Sequence, residues 1–202
     1  MYYYSVMIDI SIQYRNDLIT YPGDRPYEEY VFKTHEANHV HIMRLIMETH
    51  SGTHFDAPYH MIPEGKKVNE IELERFMGKA SIIEVNSDKI TDKDIPENIE
   101  RIVIFKTPNS ERYDKFNESF TYVTMEAARK LIEKGVNVVG IDYLSIEKFG
   151  SEEPVVHKYL FKHDAVIIEG LNLKGVKPGN YDFICLPLKM GEDGAPCRAV
   201  LL

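Results

Sequence analysis

Short apolar runs separated by polar turns recur along the whole chain. Runs of strand length, rich in β-branched and aromatic residues, cover residues 6–12, 27–32, 39–47, 79–86, 101–107, 136–142, 165–171, 181–190 and 198–202. The run 39–47 lacks a clean alternation of apolar and polar positions, which predicts a strand covered on both faces. The pattern as a whole predicts a strand-rich α+β fold with few helices.

The clearest helical pattern lies at residues 124–134. Thr124 can cap the first turn, Glu126 lies where the helix dipole favours a carboxylate, and Gly135 ends the pattern. The apolar side chains of this segment form one stripe, made of Ala127, Ala128, Leu131 and Ile132. One or two further helical turns are predicted within residues 155–163.

Length, composition and charge predict one domain over residues 1–202. A chain of 202 residues with 44% hydrophobic content can form one continuous core, and no linker or internal repeat divides it. The formal net charge is −8 and no basic stripe is present, which argues against nucleic acid as a partner.

The sequence also predicts a cytoplasmic location. The first residues lack a basic region followed by a long apolar segment, and no apolar run approaches membrane-spanning length. We therefore expect neither a secretion signal nor a membrane partner. Cys185 and Cys197 lie in apolar stretches outside any CxxC pair, which is typical of buried thiols in a reducing compartment.

Candidate chemistry is concentrated in the segment His50-Ser-Gly-Thr-His54-Phe-Asp56-Ala-Pro-Tyr-His60. Three histidines and one aspartate lie within these eleven residues, and they offer the nitrogen and oxygen ligands that Zn²⁺ or Mn²⁺ prefers. For any one histidine, hydrogen bonding to a nearby backbone group is the simpler interpretation. Four such residues together are better explained by a metal.

Spacing within this segment favours an extended chain over a helix. His50 and His54 have the i, i+4 spacing of a helical metal pair, but Gly52 and Pro58 disfavour a helix. All four candidate residues occupy even positions. An extended or gently turning chain that bends at Gly52 would therefore project them to the same side, where they could converge on one metal.

Other polar residues receive structural interpretations. Three histidines before the motif alternate with apolar residues and are interpreted as strand residues: His35, His39 and His41. The sequence leaves open that they contact and orient the metal ligands. His163 is a rival ligand by spacing and is interpreted as a surface or helix-end residue. Asp24 and Asp142 lie in or after sharp turns, where we expect carboxylates to brace the backbone.

The motif resembles the signature His-x-Gly-Thr-His-x-Asp-x-Pro-x-His of the cyclase-like metal hydrolases, which include bacterial kynurenine formamidases and isatin hydrolases. The chain matches every fixed position. The resemblance extends over nearly the whole chain, through Ile8-Asp9-Ile10-Ser11, Tyr21-Pro22-Gly23-Asp24, Gly140-Ile141-Asp142, Leu186-Pro187-Leu188 and Asp193-Gly194-Ala195-Pro196. It implies a swivelling β/β/α barrel-like fold with the site in a strand-lined cleft, and assembly as a homodimer or homotetramer.

The resemblance also implies a set of metal ligands. One metal would be held by His50, His54 and Asp56, and in two-metal members a second would be held by Asp56, His157 and Glu169. Zn²⁺ is the expected ion, at one or two per chain, with Mn²⁺ as the alternative.

His60 would stand at the edge of the metal site as general acid or base. A hydrolase needs activated water, a polarised carbonyl and a proton donor for the leaving group, and these residue types supply all three. The resemblance therefore implies a small-molecule amide or ester substrate. The leading hypothesis is hydrolysis of an N-formyl arylamine such as N-formylkynurenine. The alternatives are opening of a cyclic amide or lactone, and a non-catalytic protein that binds a metal or a small molecule.

The chain departs from the formamidase pattern where substrate is chosen. It contains no Trp, and Tyr143-Leu-Ser-Ile-Glu-Lys follows Asp142 in place of Thr-Pro-Ser-Val-Asp. Tyrosines at residues 2–4 and at Tyr27 and Tyr30 are expected to line an aromatic pocket or to lie at a subunit interface.

Overall fold

The computed structural model describes residues 7–202, so Val6 and the tyrosines at residues 2–4 lie outside the described residues. The strands are β1 Ile8–Asp9, β2 Glu28–Lys33, β3 Ile42–Ile46, β4 His54–Asp56, β5 Met77–Glu84, β6 Lys89–Ile90, β7 Ile102–Lys106, β8 Tyr122–Val123, β9 Val138–Ile141, β10 Val166–Glu169, β11 Gly179–Pro187 and β12 Gly194–Leu201. The α-helices are α1 His35–Asn38, α2 Met125–Glu133 and α3 Val155–Lys162. Short 3-10 turns connect several of these elements, including Pro58–His60 directly after β4.

Seven strands close into a barrel in the order β12-β11-β5-β7-β9-β10-β4, and β4 pairs back onto β12. The four strands β5, β7, β9 and β10 are parallel neighbours, whereas β11, β12 and β4 pair antiparallel to the strands beside them. Strand β1 adds to the free edge of β12. The strand-rich, barrel-like fold that was expected from the sequence is confirmed.

The parallel strands are buried on both faces, which explains their continuous apolar runs. Ile104 and Ile168 belong to the cluster that fills the barrel, together with Phe55 and Phe183. The alternating neighbours on the same strands point outward and pack beneath α2 and α3, in a second cluster that includes Val103, Val139, Ile167, Leu131 and Leu160. The wall of the barrel therefore separates an inner core from an outer, helix-covered core.

Most predicted strands are present with shifted ends, but the interpretation of residues 39–47 is wrong. Within residues 7–202, strand β3 pairs only with β2, in a separate two-stranded hairpin. Its side chains are largely exposed, with Ile42 at 41% and Leu45 at 54%, because no further layer of the described chain covers the hairpin. A run without alternation looks the same whether it is covered on two faces or on neither.

The ends of the chain also differ from the predicted strands. The first described strand is only Ile8–Asp9, whereas β12 begins at Gly194, upstream of the predicted start at residue 198.

The helix predicted at residues 124–134 is confirmed as α2. The Thr124 side chain caps its first turn by accepting a hydrogen bond from the Ala127 amide at 3.3 Å. Within residues 7–202, no helix is long and apolar enough to cross a bilayer.

Candidate metal centre

Strand β4 closes the barrel and carries two of the predicted ligands. His54 lies opposite Glu169 of β10 and Pro196 of β12, and Asp56 lies opposite Gly194 of β12. Successive side chains of a strand point to opposite faces. Phe55 therefore fills the barrel interior, while His54 and Asp56 face outward on the same side as Glu169.

A tight chain crossing brings His50 to this face. Gly52 adopts a left-handed conformation with φ 61°, and Gly170 has φ 68°. A side chain at Gly170 would place its Cβ 2.0 Å from the Gly52 carbonyl oxygen, so only glycine fits the crossing. The Thr53 hydroxyl donates to the Gly170 carbonyl at 2.5 Å and fixes the two segments together.

The extended or gently turning ribbon expected from the sequence contains more turn than strand. The bend at Gly52 is present, but the extended part covers only His54–Asp56. His50 lies in the turn before this strand, and His60 lies in the 3-10 turn Pro58–His60 after it. Convergence of the four residues depends on the turns on either side of β4 as well as on the alternation within it.

The first candidate ligand group is His50, His54 and Asp56, whose ligand atoms lie within 4.8 Å of one another. Asp56 Oδ1 lies 2.7 Å from His50 Nδ1 and 3.2 Å from His54 Nε2. The other nitrogen of His54, Nδ1, donates to the Gly52 carbonyl at 3.0 Å. This bond directs the Nε2 lone pair toward the site, as the second nitrogen of a metal-binding histidine commonly does.

The second candidate group is Asp56, His157 and Glu169, all buried. His157 projects from α3, and its Nε2 lies 3.2 Å from Glu169 Oε1 and 4.0 Å from Asp56 Oδ2. Glu169 Oε1 also accepts from the Ile146 amide at 2.7 Å. Asp56 belongs to both groups, so its two oxygens can serve two adjacent positions.

Two buried atoms at the centre make no hydrogen bond among the described residues, since the 3.2 Å approach of His54 Nε2 to Asp56 Oδ1 is not aligned for one. They are His54 Nε2 and Asp56 Oδ2, and both residues are 1% exposed. Leaving such atoms unpaired in the interior is unfavourable, at about 1–3 kcal/mol each. A divalent cation between them would satisfy both atoms, and a set of imidazole and carboxylate ligands suits Zn²⁺ or Mn²⁺.

Neighbouring carboxylates keep His50 and His157 protonated when no cation is present. Burial alone would lower the pKa of His50, but the carboxylates of Asp56 and Asp193 raise it to about 9. Burial likewise opposes protonation of His157, but Glu147 and Glu169 raise its pKa to about 10. A cation that binds here would displace these protons.

His60 differs from the candidate ligands in exposure and charge. Its side chain is 25% exposed, and its Nδ1 lies 3.4 Å from Asp193 Oδ2. The His60 ring is stacked near the His50 ring, with centroids 4.0 Å apart. Burial is the main cause that lowers the pKa of His60, so this imidazole is neutral at physiological pH and can accept and return a proton.

Two residues of the centre were absent from the predicted site. Glu147 Oε2 accepts from the amides of Val156 and His157 at 3.1 and 3.3 Å, and it lies 3.1 Å from His157 Nδ1. It therefore caps α3 and orients His157 at the same time. Asp193 lies 2.9 Å from His50 Nε2 and accepts from the Thr49 hydroxyl at 3.1 Å. Asp193 lay in a segment that carried the family resemblance, but nothing local marked it as a site residue.

A third candidate ligand group joins His50, His60 and Asp193, and the remaining histidines lie outside all three groups. His163 is exposed at the C-terminal end of α3, with Nδ1 2.8 Å from the Tyr159 carbonyl, in agreement with a helix-end interpretation. His35, His39 and His41 are exposed, and their interpretation as strand residues is wrong. His35 begins α1 and His39 ends it with φ 58°, because Thr34 caps a helical turn there.

A cavity of about 690 Å³ opens beside the centre. His50, His60 and His157 are among the residues that line it. Its walls are largely apolar and include Leu18, Ile19, Tyr21, Met47, Met61 and Leu144. Charged side chains are also present, with Asp24, Glu48 and Lys148 among the lining residues. The arrangement can hold a molecule with an apolar body and a charged end against the histidines.

Comparisons with known proteins agree with this geometry. The family described as "Putative cyclase" matches residues 8–148. Kynurenine formamidase from Bacillus thuringiensis is 36% identical over 98% of this chain and 97% of its own length. A solved structure described as a potential metal-dependent hydrolase with cyclase activity is 36% identical, with a TM-score of 0.84 over 96% of each chain. Isatin hydrolase A from Labrenzia aggregata, at 22% identity, shares the fold with a TM-score of 0.80 over 96% of this chain and 92% of that one.

Proposed function

Because the chain belongs to the cyclase family, we propose that it is a metal-dependent hydrolase that cleaves the formyl C–N bond of an N-formyl arylamine such as N-formylkynurenine. The products are formate and the free arylamine. The observation that carries the proposal is the pair of buried, unpartnered atoms His54 Nε2 and Asp56 Oδ2 beside a cavity lined by His60. Kynurenine formamidases at 35–36% identity over nearly the full length support the choice of substrate.

Two cation positions are proposed around Asp56. His50, His54 and Asp56 would hold one ion, and Asp56, His157 and Glu169 would hold a second. Zn²⁺ is the proposed ion, with Mn²⁺ as the alternative, because both accept imidazole and carboxylate ligands. When bound, a divalent cation supplies Lewis-acid chemistry, lowering the pKa of water and polarising a carbonyl oxygen.

His60 is proposed to move the proton that the reaction requires. Hydrolysis of an amide leaves an amine, which departs readily only when its nitrogen is protonated. His60 lies at the cavity, is neutral, and has its Nδ1 3.4 Å from Asp193 Oδ2. Asp193 would hold the ring so that Nε2 faces the substrate, and it would stabilise the imidazolium that forms when His60 takes a proton from the attacking water.

The cavity suits an aromatic amino-acid derivative. N-formylkynurenine has an aromatic body and an end that carries one ammonium and one carboxylate group. The apolar wall formed by Ile19, Tyr21 and Leu144 can cover the ring. Lys148 lines the same cavity, and it makes no ion pair within residues 7–202, so it is available to bind the carboxylate.

Lys148→Met tests this placement of the charged end. We expect KM for N-formylkynurenine to rise by about tenfold, the effect of losing one exposed charge-assisted contact, while kcat changes little. Formanilide, which has the same amide but no charged end, serves as the matched control substrate. An equal loss with both substrates would contradict the role of Lys148 without affecting the hydrolase assignment.

Assembly as a homodimer and a cytoplasmic location are also proposed. The hairpin of β2 and β3 exposes several large apolar side chains, including Tyr30 at 46% and Leu45 at 54%, which a second copy of the chain could cover. Sedimentation of the purified protein tests the dimer, and a monomer at micromolar concentration would reject it. Two free cysteines are consistent with a reducing compartment.

The central experiment measures metal content and turnover together. The purified chain and His54→Ala are analysed for bound metal, and each is assayed with N-formylkynurenine and with isatin before and after chelation. We expect one or two ions per chain, turnover of N-formylkynurenine that chelation abolishes, and loss of both in His54→Ala. Metal with turnover of isatin alone would overturn the substrate, and a chain that binds no added Zn²⁺ or Mn²⁺ would overturn the hydrolase mechanism.

A further inference from the structure

The only two cysteines of the chain lie in contact on neighbouring barrel strands. Cys185 is on β11 and Cys197 is on β12, with their sulfur atoms 3.1 Å apart. In the antiparallel register, Cys185 lies opposite Ala199 and Pro187 lies opposite Cys197. The two cysteines are therefore diagonal neighbours on the same face of the sheet. A disulfide requires a sulfur separation of about 2.05 Å, so closure needs an approach of only about 1 Å.

The two thiols differ in their access to solvent. Cys185 is fully buried in the barrel core. Cys197 is partly exposed and lines a groove of about 620 Å³ on the side of the barrel near Gln13 and Arg198. A small oxidant can therefore reach Cys197 first, while Cys185 is held next to it as a resolving thiol.

We propose that Cys185 and Cys197 form a reversible intramolecular disulfide when the protein meets a hydroperoxide. Cys197 attacks the peroxide O–O bond, forming a sulfenic acid and releasing water. The Cys185 thiol then attacks the Cys197 sulfur, forming the S–S bond and releasing a second water. Two thiols and one hydrogen peroxide thus yield one disulfide and two waters.

The surroundings determine the rate and the consequence of this reaction. The adjacent Cys185 sulfur and burial both raise the pKa of Cys197, so the thiolate is scarce at neutral pH and oxidation is slow. The Cys197 amide donates to the Thr53 carbonyl at 3.0 Å, directly before His54. The disulfide would therefore tie β11 to the strand that holds β4, and it would stabilise the closed barrel by restricting the unfolded chain.

The test uses hydrogen peroxide on the folded, full-length chain in mildly alkaline buffer. We expect both thiols to disappear from titration in denaturant, a non-reducing peptide map to join the peptides of Cys185 and Cys197, and Tm to rise by several degrees. Dithiothreitol should restore both thiols and the original Tm. Cys185→Ser and Cys197→Ser are matched controls in which neither the crosslink nor the rise in Tm should occur.

Three outcomes would overturn the proposal. Both thiols could survive oxidation, Cys197 could stop at a higher oxidation state without a crosslink, or the crosslink could join two chains. The peptide map distinguishes these outcomes in the unmodified chain, so the conclusion stands even when a serine variant fails to fold. None of these measurements depends on the substrate or the bound metal.

Discussion

Two buried carboxylates of the barrel, Asp142 and Asp56, differ in how their oxygens are satisfied. Asp142 follows β9, and its oxygens accept from the Thr107 amide and hydroxyl at 2.7 Å and from the Ser110 hydroxyl at 2.6 Å. Asp56 lies in β4, two strands away, and its Oδ2 has no hydrogen-bond partner among the described residues. One carboxylate is satisfied within the chain, and the other is satisfied only with a ligand.

The difference is also visible in charge. Burial raises the pKa of Asp142 to about 6 despite its hydrogen bonds from Thr107 and Ser110. Burial acts in the same direction on Asp56, but the adjacent imidazoles of His50 and His54 hold its pKa well below the usual range. A buried acid surrounded by hydroxyl and amide donors braces two loops. A buried acid surrounded by histidines, with one oxygen unpaired, is arranged for a cation.

The largest expected effect comes from exchanging Asp56 and Asp142, each in turn, for asparagine. Asp56→Asn should lose bound metal and lower kcat/KM on the order of a thousandfold, because both candidate ligand groups share this carboxylate. Asp142→Asn should retain metal but lower the free energy of unfolding by roughly 1–3 kcal/mol, because one oxygen that accepts hydrogen bonds is replaced by a donor. Elemental analysis and urea unfolding measure the two effects, and metal loss in Asp142→Asn would erase the distinction.

His60→Gln separates proton transfer from metal binding. Glutamine keeps a polar side chain at the cavity but cannot carry a proton, so kcat should fall by about a hundredfold to ten-thousandfold. Metal content should stay unchanged, because His60 belongs to neither of the two ligand groups that share Asp56. Loss of metal along with activity would show that His60 is a ligand, which the group of His50, His60 and Asp193 would then explain.

Glu147→Gln removes a carboxylate that orients the candidate metal ligand His157 but leaves His157 itself in place. That carboxylate lies 3.1 Å from His157 Nδ1. We expect metal affinity at the second position to fall by about 10–100-fold, as is usual when a group that orients a ligand is lost. Competition with a chelator measures this change. Glu153→Gln, at an exposed position before the same helix, is the matched control and should have no effect on affinity.

The change in metal affinity with pH is gradual. Below the raised pKa values of His50, about 9, and His157, about 10, a cation must displace a proton from each. Apparent metal affinity should therefore fall by about tenfold per pH unit for each displaced proton as pH is lowered. Calorimetry in buffers of different ionisation enthalpy counts the protons, and affinity independent of pH would contradict the assigned protonation.

The metal-free chain should show the opposite trend. Because His50 and His157 have pKa values above those of the unfolded chain, their contribution to stability is complete below about pH 6.5. It is lost as pH rises through about 9 to 10. Urea unfolding of the chelated protein at several pH values measures this loss.

The sequence predicted the parts of the centre that depend on local spacing. His50, His54, Asp56 and His60 stand out because four ligand-type residues lie within one short segment. Asp193 did not stand out, because β12–β4 pairing brings it to His50 from a distant part of the chain. Glu147 was missed for the same reason, since its partner His157 is fixed only when α3 docks on the barrel.

The error in the predicted fold has a related cause. The segment 39–47 is apolar enough for a strand that is covered on both faces. Whether other elements cover a strand depends on the tertiary structure, which the residues of the strand alone do not determine. The helix α2 was predicted well because Thr124, Glu126 and Gly135 act within one or two turns. The helix, which depends on local contacts, was therefore predicted well, whereas the burial of the strand in segment 39–47, which depends on tertiary neighbours, was not.

Strand β4 has one further consequence, which concerns pairing register. Its three residues alternate between the two faces of the barrel wall, with Phe55 inside and His54 and Asp56 outside. A slip of one residue against β10 and β12 would move an imidazole and a carboxylate into the apolar interior and would move Phe55 to the candidate metal centre. That misaligned barrel would be destabilised twice, by two buried polar groups without polar partners and by the loss of one aromatic side chain from the core. The same alternation that assembles the centre therefore excludes its nearest misfolded competitor.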